Sequence, residues 1–299
     1  MQHHEWFHVR TLAPGVWQLT ESGHVCMWLV TGTERAVLID TGCGFTPLRP
    51  LVESLVGGLP ITVLQTHHHV DHVGGSHEFD EVLIHPAGVA ALAAGVPAAG
   101  LTGYVDHTLA MDAAFAAYAP ADARFFHLLG EQDRLRPLPA CVRDGTWSIL
   151  PVTATGTVGD GDVLDLGGGR TLHLLHTPGH SPADLSIELV GEGLLFGGDT
   201  VNTGPVYVQN EDSSVPQLRA SLARLADRAD TSTRVFGCHF LRTEVPPSHL
   251  VAQVSALDEL LAGGVALTPA VDCVGTAVEE ASFDGFSFFV PTGWEVTTA

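Results

Sequence analysis

The stretch that decides the fold is Thr66-His67-His68-His69-Val70-Asp71-His72-Val73-Gly74-Gly75. It follows an apolar run at 61–64 that is typical of a buried strand. Because His67 and His69 lie two positions apart, both side chains leave the same side of an extended backbone. Asp71 and His72 stand where the chain would turn into a helix, so they approach from another direction. One loop can therefore hold two neighbouring metal ions, and this density of histidine and carboxylate groups indicates a metal or catalytic site.

Composition narrows the class of protein. The 299 residues include 13 basic and 34 acidic side chains, which gives a formal net charge of −21. Such a surface repels phosphate backbones and anionic membranes, so we expect neither nucleic acid nor a membrane as partner. The five cysteines are scattered without a CxxC pair, which favours reduced thiols and a cytoplasmic location. We expect no signal peptide and no membrane span, and the sequence leaves the oligomeric state open.

Strand and helix patterns alternate along the chain in two runs, which is typical of an α/β sandwich with helices outside. Apolar periodicity with flanking Pro and Gly residues predicts helices at 47–56, 216–229 and 249–261. The tail at 283–290 alternates weakly and predicts an edge strand. The segment 87–147 is Ala-rich and then Pro/Arg-rich, and it predicts a mainly helical insertion that covers the site. We therefore expect one domain over residues 1–299.

Four more polar residues stand directly after predicted strands. Asp40 follows the apolar run 36–39, and Asp199 follows 194–196 across two glycines that allow a close backbone approach. His180 lies in a tight turn after strand 171–175, and His239 follows strand 233–236. Because α/β scaffolds concentrate their sites at strand ends, we expect these side chains to meet the histidine loop.

In these motifs the sequence resembles the metallo-β-lactamase-fold hydrolase superfamily. The pattern HxHxDH (His67, His69, Asp71, His72) is followed by His180, Asp199 and His239 in the family's order. The resemblance implies an αββα sandwich with the site at one edge of its two sheets. It further implies one metal on His67, His69 and His180, and a second on Asp71, His72 and His239. Asp199 would bridge the metals together with a hydroxide, Asp71 and Asp199 would be catalytic, and Asp40 would orient the ligand side chains from behind.

The aspartate at position 199 bears on the subclass. It resembles the glyoxalase II, lactonase and phosphodiesterase branches, since the antibiotic-degrading lactamases have no carboxylate bridge there. Two features depart from these branches. The chain beyond His239 has one clear helix instead of a helical C-terminal domain, and Tyr207 lies farther from Asp199 than the lactonase tyrosine does. Nuclease branches need basic surfaces, which this composition does not provide.

Imidazole and carboxylate ligands suit zinc, with iron and manganese as alternatives. Two such ions activate a shared water and polarise a carbonyl oxygen. The first hypothesis is therefore a dinuclear metallohydrolase that acts on a small ester, thioester or lactone. The alternatives are an oxidoreductase similar to the mononuclear-iron persulfide dioxygenases, a phosphodiesterase, and a non-catalytic binding protein on the same scaffold.

Weaker expectations concern the residues around the metals. His68 lies between two ligands and is expected to point away. Cys238 precedes His239, and because neighbours in a strand point to opposite faces, we expect it to be buried filler. Aromatic and polar residues of the early strands and of the insertion could line a substrate pocket, although the insertion helix could equally bury its own apolar stripe. The candidate pocket residues are His24, Trp28, Tyr104, His107, Phe115 and Tyr207.

Overall fold

The computed structural model describes residues 6–23, 25–130, 135–239 and 243–295. Strands are numbered along the chain, and the first seven form one sheet in sequence order: β1 (Phe7–Ala13), β2 (Val16–Glu21), β3 (Cys26–Thr31), β4 (Ala36–Ile39), β5 (Ile61–Leu64), β6 (Val82–Ile84) and β7 (Gly156–Thr157). Strands β1 to β4 are antiparallel, whereas β4 to β7 are parallel. The parallel half brings the ends of β4 and β5 side by side, and the histidine loop begins there.

The remaining strands form two further sheets: β8 (Val163–Asp165), β9 (Thr171–His176), β10 (Leu185–Leu189), β11 (Leu194–Phe196), β12 (Pro205–Tyr207), β13 (Arg234–Phe236), β14 (Glu244–Val245), β15 (Leu267–Val271), β16 (Ala277–Phe283) and β17 (Phe286–Pro291). One has the order β14-β13-β11-β10-β9-β8, and the other has the order β12-β17-β16-β15. The pair β11 and β13 is parallel, so Asp199 and His239 follow strands that end at the same edge.

Seven α-helices lie in the described ranges: α1 (Arg49–Val56), α2 (Val70–Val73), α3 (Val89–Ala94), α4 (Thr102–Ala121), α5 (Ala140–Arg143), α6 (Val215–Arg228) and α7 (Pro247–Leu261). The first two sheets face each other, and Trp28 packs on Phe196 between them with ring centroids 5.2 Å apart. Helix α1 buries its apolar face against the first sheet, while α6 and α7 share a second core with the outer face of the second sheet. This arrangement confirms the predicted αββα sandwich.

The three predicted helices outside the insertion are confirmed, with ends that differ by no more than two residues. Helix α1 stops at Gly57, whose φ of 63° is the left-handed conformation that glycine adopts without strain. Helix α6 begins after Ser214, whose side chain accepts a hydrogen bond from the Gln217 amide. Local capping chemistry therefore made these helix ends readable from the sequence.

Between β6 and β7 the chain forms α3, α4 and α5, with a single π-helical turn at Asp122–Phe126 after α4. Only Val105 and Thr108 of the 20 residues of α4 are buried. Little of this helix therefore serves the core, and its N-terminal half is free to face the site. Within the described ranges no helix combines the length and apolarity that a bilayer crossing would require.

The C-terminal sheet corrects one expectation. The tail was expected to form an edge strand, but β17 lies inside its sheet, antiparallel to β16 on one side and parallel to β12 on the other. Five consecutive residues of β17, from Phe286 to Val290, are buried. A strand that is covered on both faces carries apolar residues without clear alternation, which explains the weak pattern in the sequence.

Candidate metal centre and substrate cavity

Backbone geometry at the end of β4 holds the histidine loop in place. Asp40 adopts a φ of 61°, one of two positive values among the described residues other than glycine. Its carboxylate accepts hydrogen bonds from the Thr66 amide at 2.7 Å and from the Thr66 hydroxyl at 2.8 Å. Farther along the loop, a Cβ at Gly74 would lie 2.0 Å from the carbonyl oxygen of Cys43. The double glycine of the motif thus lets two loops touch.

Hydrogen bonds at Nδ1 orient three histidine rings so that Nε2 of each faces Asp199. His72 donates through Nδ1 to Asp40 Oδ2 at 2.9 Å. His180 donates through Nδ1 to the carbonyl oxygen of Tyr207 at 2.7 Å. The Thr66 hydroxyl gives its proton to Asp40, so its oxygen accepts from His67 Nδ1 at 3.0 Å. Partners of this kind orient the rings of metal-binding histidines.

One group of donors lies on the side of His67. His67, His69, His180 and Asp199 each offer one atom, and these atoms lie within 4.8 Å of one another. His69 Nδ1 is 2.8 Å from His180 Nε2, and His180 Nε2 is 3.3 Å from Asp199 Oδ2. The predicted ligands of the first metal therefore converge, although they come from three separate loops.

A second group shares Asp199. His72, Cys238 and His239 complete it within the same 4.8 Å limit. His72 Nε2 is 3.4 Å from Asp199 Oδ1, and His239 Nε2 is 3.2 Å from Asp199 Oδ2. Asp71 lies beside this group, with Oδ2 3.5 Å from His239 Nε2. The carboxylate of Asp199 thus stands between two sets of histidines.

Cys238 does not point away from the site, contrary to our expectation. Its thiol donates a hydrogen bond to Asp199 Oδ1. The alternation rule failed because β13 ends at Phe236, two residues earlier, so Cys238 and His239 lie beyond the regular strand. The position of Cys238 directly before a metal-ligand motif was the only sequence signal available.

The electrostatics of the pocket suit cations. Burial lowers the pKa of His67 and of His69 well below the ordinary histidine value, and neighbouring histidines lower it further. Burial would raise the pKa of Asp199, but His239, His72 and His180 bring it well below the ordinary value. Burial would also lower the pKa of His72 and of His239, but the carboxylates of Asp199 and Asp71 raise it above the ordinary value. Neutral imidazole and ionised carboxylate are the forms that bind a divalent metal, so a metal at the second group would displace protons from these two rings.

The buried donors also fit metal ions because some lack another partner. Nε2 of His67 and Nε2 of His72 are buried and accept no hydrogen bond from the described residues. An orphaned buried polar atom costs free energy unless a ligand satisfies it. Three or four nitrogen and oxygen donors around each position are the ligand types that zinc takes.

Comparison with known proteins decides the family. A model of the metallo-beta-lactamase superfamily matches residues 21–239. The chain belongs to that superfamily. Its fold agrees with solved members, including a metallo-beta-lactamase from Pontibacter korlensis with a TM-score of 0.55 at 18% identity, which covers 84% of this chain and 99% of that one.

Proteins of two kinds have sequences similar to this chain. The chain is 29% identical over 245 residues to the acyl-coenzyme A thioesterase MBLAC2 of Homo sapiens, covering 76% of this chain and 77% of the relative. The MBLAC2 of Gallus gallus is 28% identical over 239 residues, with coverage of 76% and 77%. A hydroxyacylglutathione hydrolase of Xylella fastidiosa is 26% identical over 205 residues, which are 66% of this chain but only 53% of that protein.

A cavity of about 620 Å³ opens directly onto the donor groups of this superfamily member. Its lining includes His69, His180, Asp199 and His239. Helix α4 contributes Tyr104, His107 and Met111, and α3 contributes Ala91 and Ala94. His68 also lines the cavity and belongs to neither donor group, so it faces the space beside them. A volume of this size suits a small-molecule ligand.

The six predicted pocket residues fall into three groups. Tyr104, His107 and Tyr207 line the cavity. Trp28 and Phe115 do not line it. Trp28 is fully buried between the sheets, where a large apolar ring stabilises the core. Phe115 lies one turn beyond Met111 on α4, past the part of the helix that lines the cavity. His24 lies outside the described residues.

Proposed function

We propose that this protein is a metal-dependent hydrolase of acyl thioesters. One observation carries the proposal: Asp199 stands between two groups of histidines whose ring nitrogens converge with it in the wall of a cavity. Two kinds of relative are named acyl-coenzyme A thioesterase and hydroxyacylglutathione hydrolase, and both names describe the hydrolysis of a thioester. Among the ester, thioester and lactone substrates that the sequence suggested, we therefore favour thioesters.

Two divalent metals, most simply zinc, would be held by His67, His69 and His180 on one side and by Asp71, His72 and His239 on the other, with Asp199 between them. When bound, such ions act as Lewis acids and lower the pKa of water toward neutrality. Asp40, Thr66 and the Tyr207 carbonyl keep the rings oriented through Nδ1. The protein's own task is thus to hold donors rigidly, which avoids reorganisation during the reaction.

Asp71 is the candidate proton carrier. Its carboxylate lines the cavity and lies 3.5 Å from His239 Nε2, so it reaches both the metal position and the substrate space. Asp199 also lines the cavity, but its two carboxylate oxygens face His72 and His239, so it stands between the two groups of donors. We assign it the holding of both cations and not the transfer of protons.

Purified protein reconstituted with zinc tests the proposal. Release of free thiol from an acyl thioester is measured with a chromogenic thiol reagent, beside the oxygen ester and the lactone of matched acyl length. We expect thioester turnover that a chelator removes and zinc restores. Asp199→Asn should abolish it, whereas the matched exposed change Asp80→Asn should not. Hydrolysis of the lactone or oxygen ester without thioester turnover would refute the assignment.

A further inference from the structure

Helix α4 exposes an apolar face on the side opposite the cavity. Leu109, Ala113, Ala116 and Ala117 recur at helical spacing on this outward face, and all four are exposed. The residues of α4 that line the cavity leave the helix on the other side. Helices that are apolar on every side are normally buried, yet this one presents its outward face to solvent.

The turn that follows α4 is also apolar on its outside. Phe125, Phe126 and Leu128 are 62%, 57% and 72% exposed, whereas the carboxylate-bearing Asp122 is only 3% exposed. That carboxylate accepts hydrogen bonds from the amides of Leu128 at 2.9 Å and Leu129 at 3.1 Å. Surface turns usually bury their aromatic residues and expose their carboxylates. Here the buried carboxylate holds the apolar side chains in a fixed place in solvent, which reduces the entropy cost of binding a partner.

The apolar surface continues past the other end of α4. A Cβ at Gly103 would lie 2.7 Å from the carbonyl oxygen of Val274, so the helix and the turn after β15 are in close contact. Val274 is 43% exposed and also lines the cavity. The surface therefore runs along the whole of α4, which at 20 residues is about 30 Å long. A continuous exposed apolar surface of this kind marks an interaction site.

Two charges on α4 and its turn indicate which partner fits. Asp106 stands near the start of the helix and Arg124 just beyond its end, and both are exposed. They are 18 positions apart, or about five helical turns, so they lie near the same side. A second copy packed antiparallel along α4 places each Asp106 against Arg124 of the partner subunit. The same register places Ala113 against Ala117 of the partner subunit, where small side chains let the two helices approach closely.

We propose that α4 and the turn after it form a two-fold symmetric interface between two copies of this chain. In such an interface the same surface meets itself, so its charges must be self-complementary, as Asp106 and Arg124 are. The turn of each copy then lies beside Val274 of the other, at the edge of the cavity. A lipid surface fits less well, because the net charge of −21 repels anionic membranes. The inference does not depend on the proposed thioester function.

Reversal of the two charges tests the antiparallel pairing. Sedimentation equilibrium of the full chain, reconstituted with zinc at physiological ionic strength, measures the dissociation constant of the dimer. We expect Asp106→Arg alone and Arg124→Asp alone each to raise this constant about tenfold, since each change acts in two symmetry-related ion pairs. The double variant Asp106→Arg/Arg124→Asp should return it to near the parent value. Far-ultraviolet circular dichroism checks that every variant keeps its helices.

A change at the centre of the outward face tests the interface itself. Ala113→Glu should give a monomer, because it sets a carboxylate against the apolar surface of the partner, while glutamate still favours the helix. Ala220→Glu is the matched control on the exposed side of α6 and should keep the dimer. A monomeric parent protein would overturn the inference, as would a dimer that survives Ala113→Glu or a double reversal that stays as weak as the single ones. Monomeric protein that co-sediments with phosphatidylcholine vesicles would also overturn it and would identify a lipid surface as the partner.

Discussion

Replacement of Asp40 by Asn tests whether the Asp40 carboxylate orients the candidate metal ligand His72. The carboxylate accepts from the Thr66 amide, the Thr66 hydroxyl and His72 Nδ1 at 2.7, 2.8 and 2.9 Å. Asn keeps the shape and tolerates the left-handed φ of 61°, so the backbone is preserved. Its amide nitrogen, however, must face at least one N–H or O–H donor. The His72 ring then loses its charged acceptor, and removal of such a partner lowers metal affinity by about 10–100-fold.

That loss corresponds to about 1.4–2.7 kcal/mol of binding free energy. Zinc affinity is measured by competition with a chromogenic chelator, for the parent protein and for Asp40→Asn. Asp80→Asn is the matched control, since it makes the same chemical change at an exposed carboxylate paired with Arg49. Far-ultraviolet circular dichroism checks that the fold survives. An affinity for both zinc ions within twofold of the parent would show that Asp40 does not orient His72, and the reasoning would be wrong.

Three further predictions follow from the site and the core. Elemental analysis of the purified protein should find two zinc ions per chain and fewer in Asp199→Asn; a single iron with oxygen uptake would favour the oxidoreductase alternative. Ala94 lines the cavity from α3, so Ala94→Trp should reduce the space for the acyl chain and shorten the preferred chain length; each methylene that no longer fits should lower kcat/KM about fourfold. Burial raises the pKa of Glu21 from 4.5 to about 6, so the folded state binds this proton more tightly than the unfolded state does. The stabilisation of the fold by the protonated group is therefore lost as pH rises from about 4.5 to 6 and above. Urea unfolding should therefore show that the stability of Glu21→Gln relative to the parent increases by about 2 kcal/mol between pH 4 and pH 7.

The alternation of strands and helices predicted an α/β sandwich, and the resemblance carried by the ligand motifs implied its αββα arrangement. Period-2 and apolar patterns located the strands, and the polar residues directly after them had to share a sheet edge. His72 lies between Asp40 and Asp199 for that reason, although more than 100 residues separate the two aspartates in the chain. The side-chain identities carried the chemistry, so no knowledge of the loops was required.

Other features depend on contacts that side-chain patterns do not encode. The acceptor for His180 is a backbone carbonyl, that of Tyr207, and any residue at position 207 could supply it. Cys238 turns toward Asp199 because the strand before it has already ended. Trp28 lies in the core and not in the cavity, because its position on β3 faces Phe196. In each case the decisive information is the local backbone path.

The C-terminal sheet links the substrate cavity to the metal centre. Tyr207 pairs with Phe289 in the register of β12 and β17, and its carbonyl oxygen accepts from His180. Its hydroxyl accepts a hydrogen bond from the amide of Cys273, a residue that lines the cavity at the end of β15. One residue therefore connects the candidate metal ligand His180, an interior strand and the cavity wall. A change that shifts β17 should thus alter zinc affinity and substrate preference together, whereas a change in α4 should alter substrate preference alone.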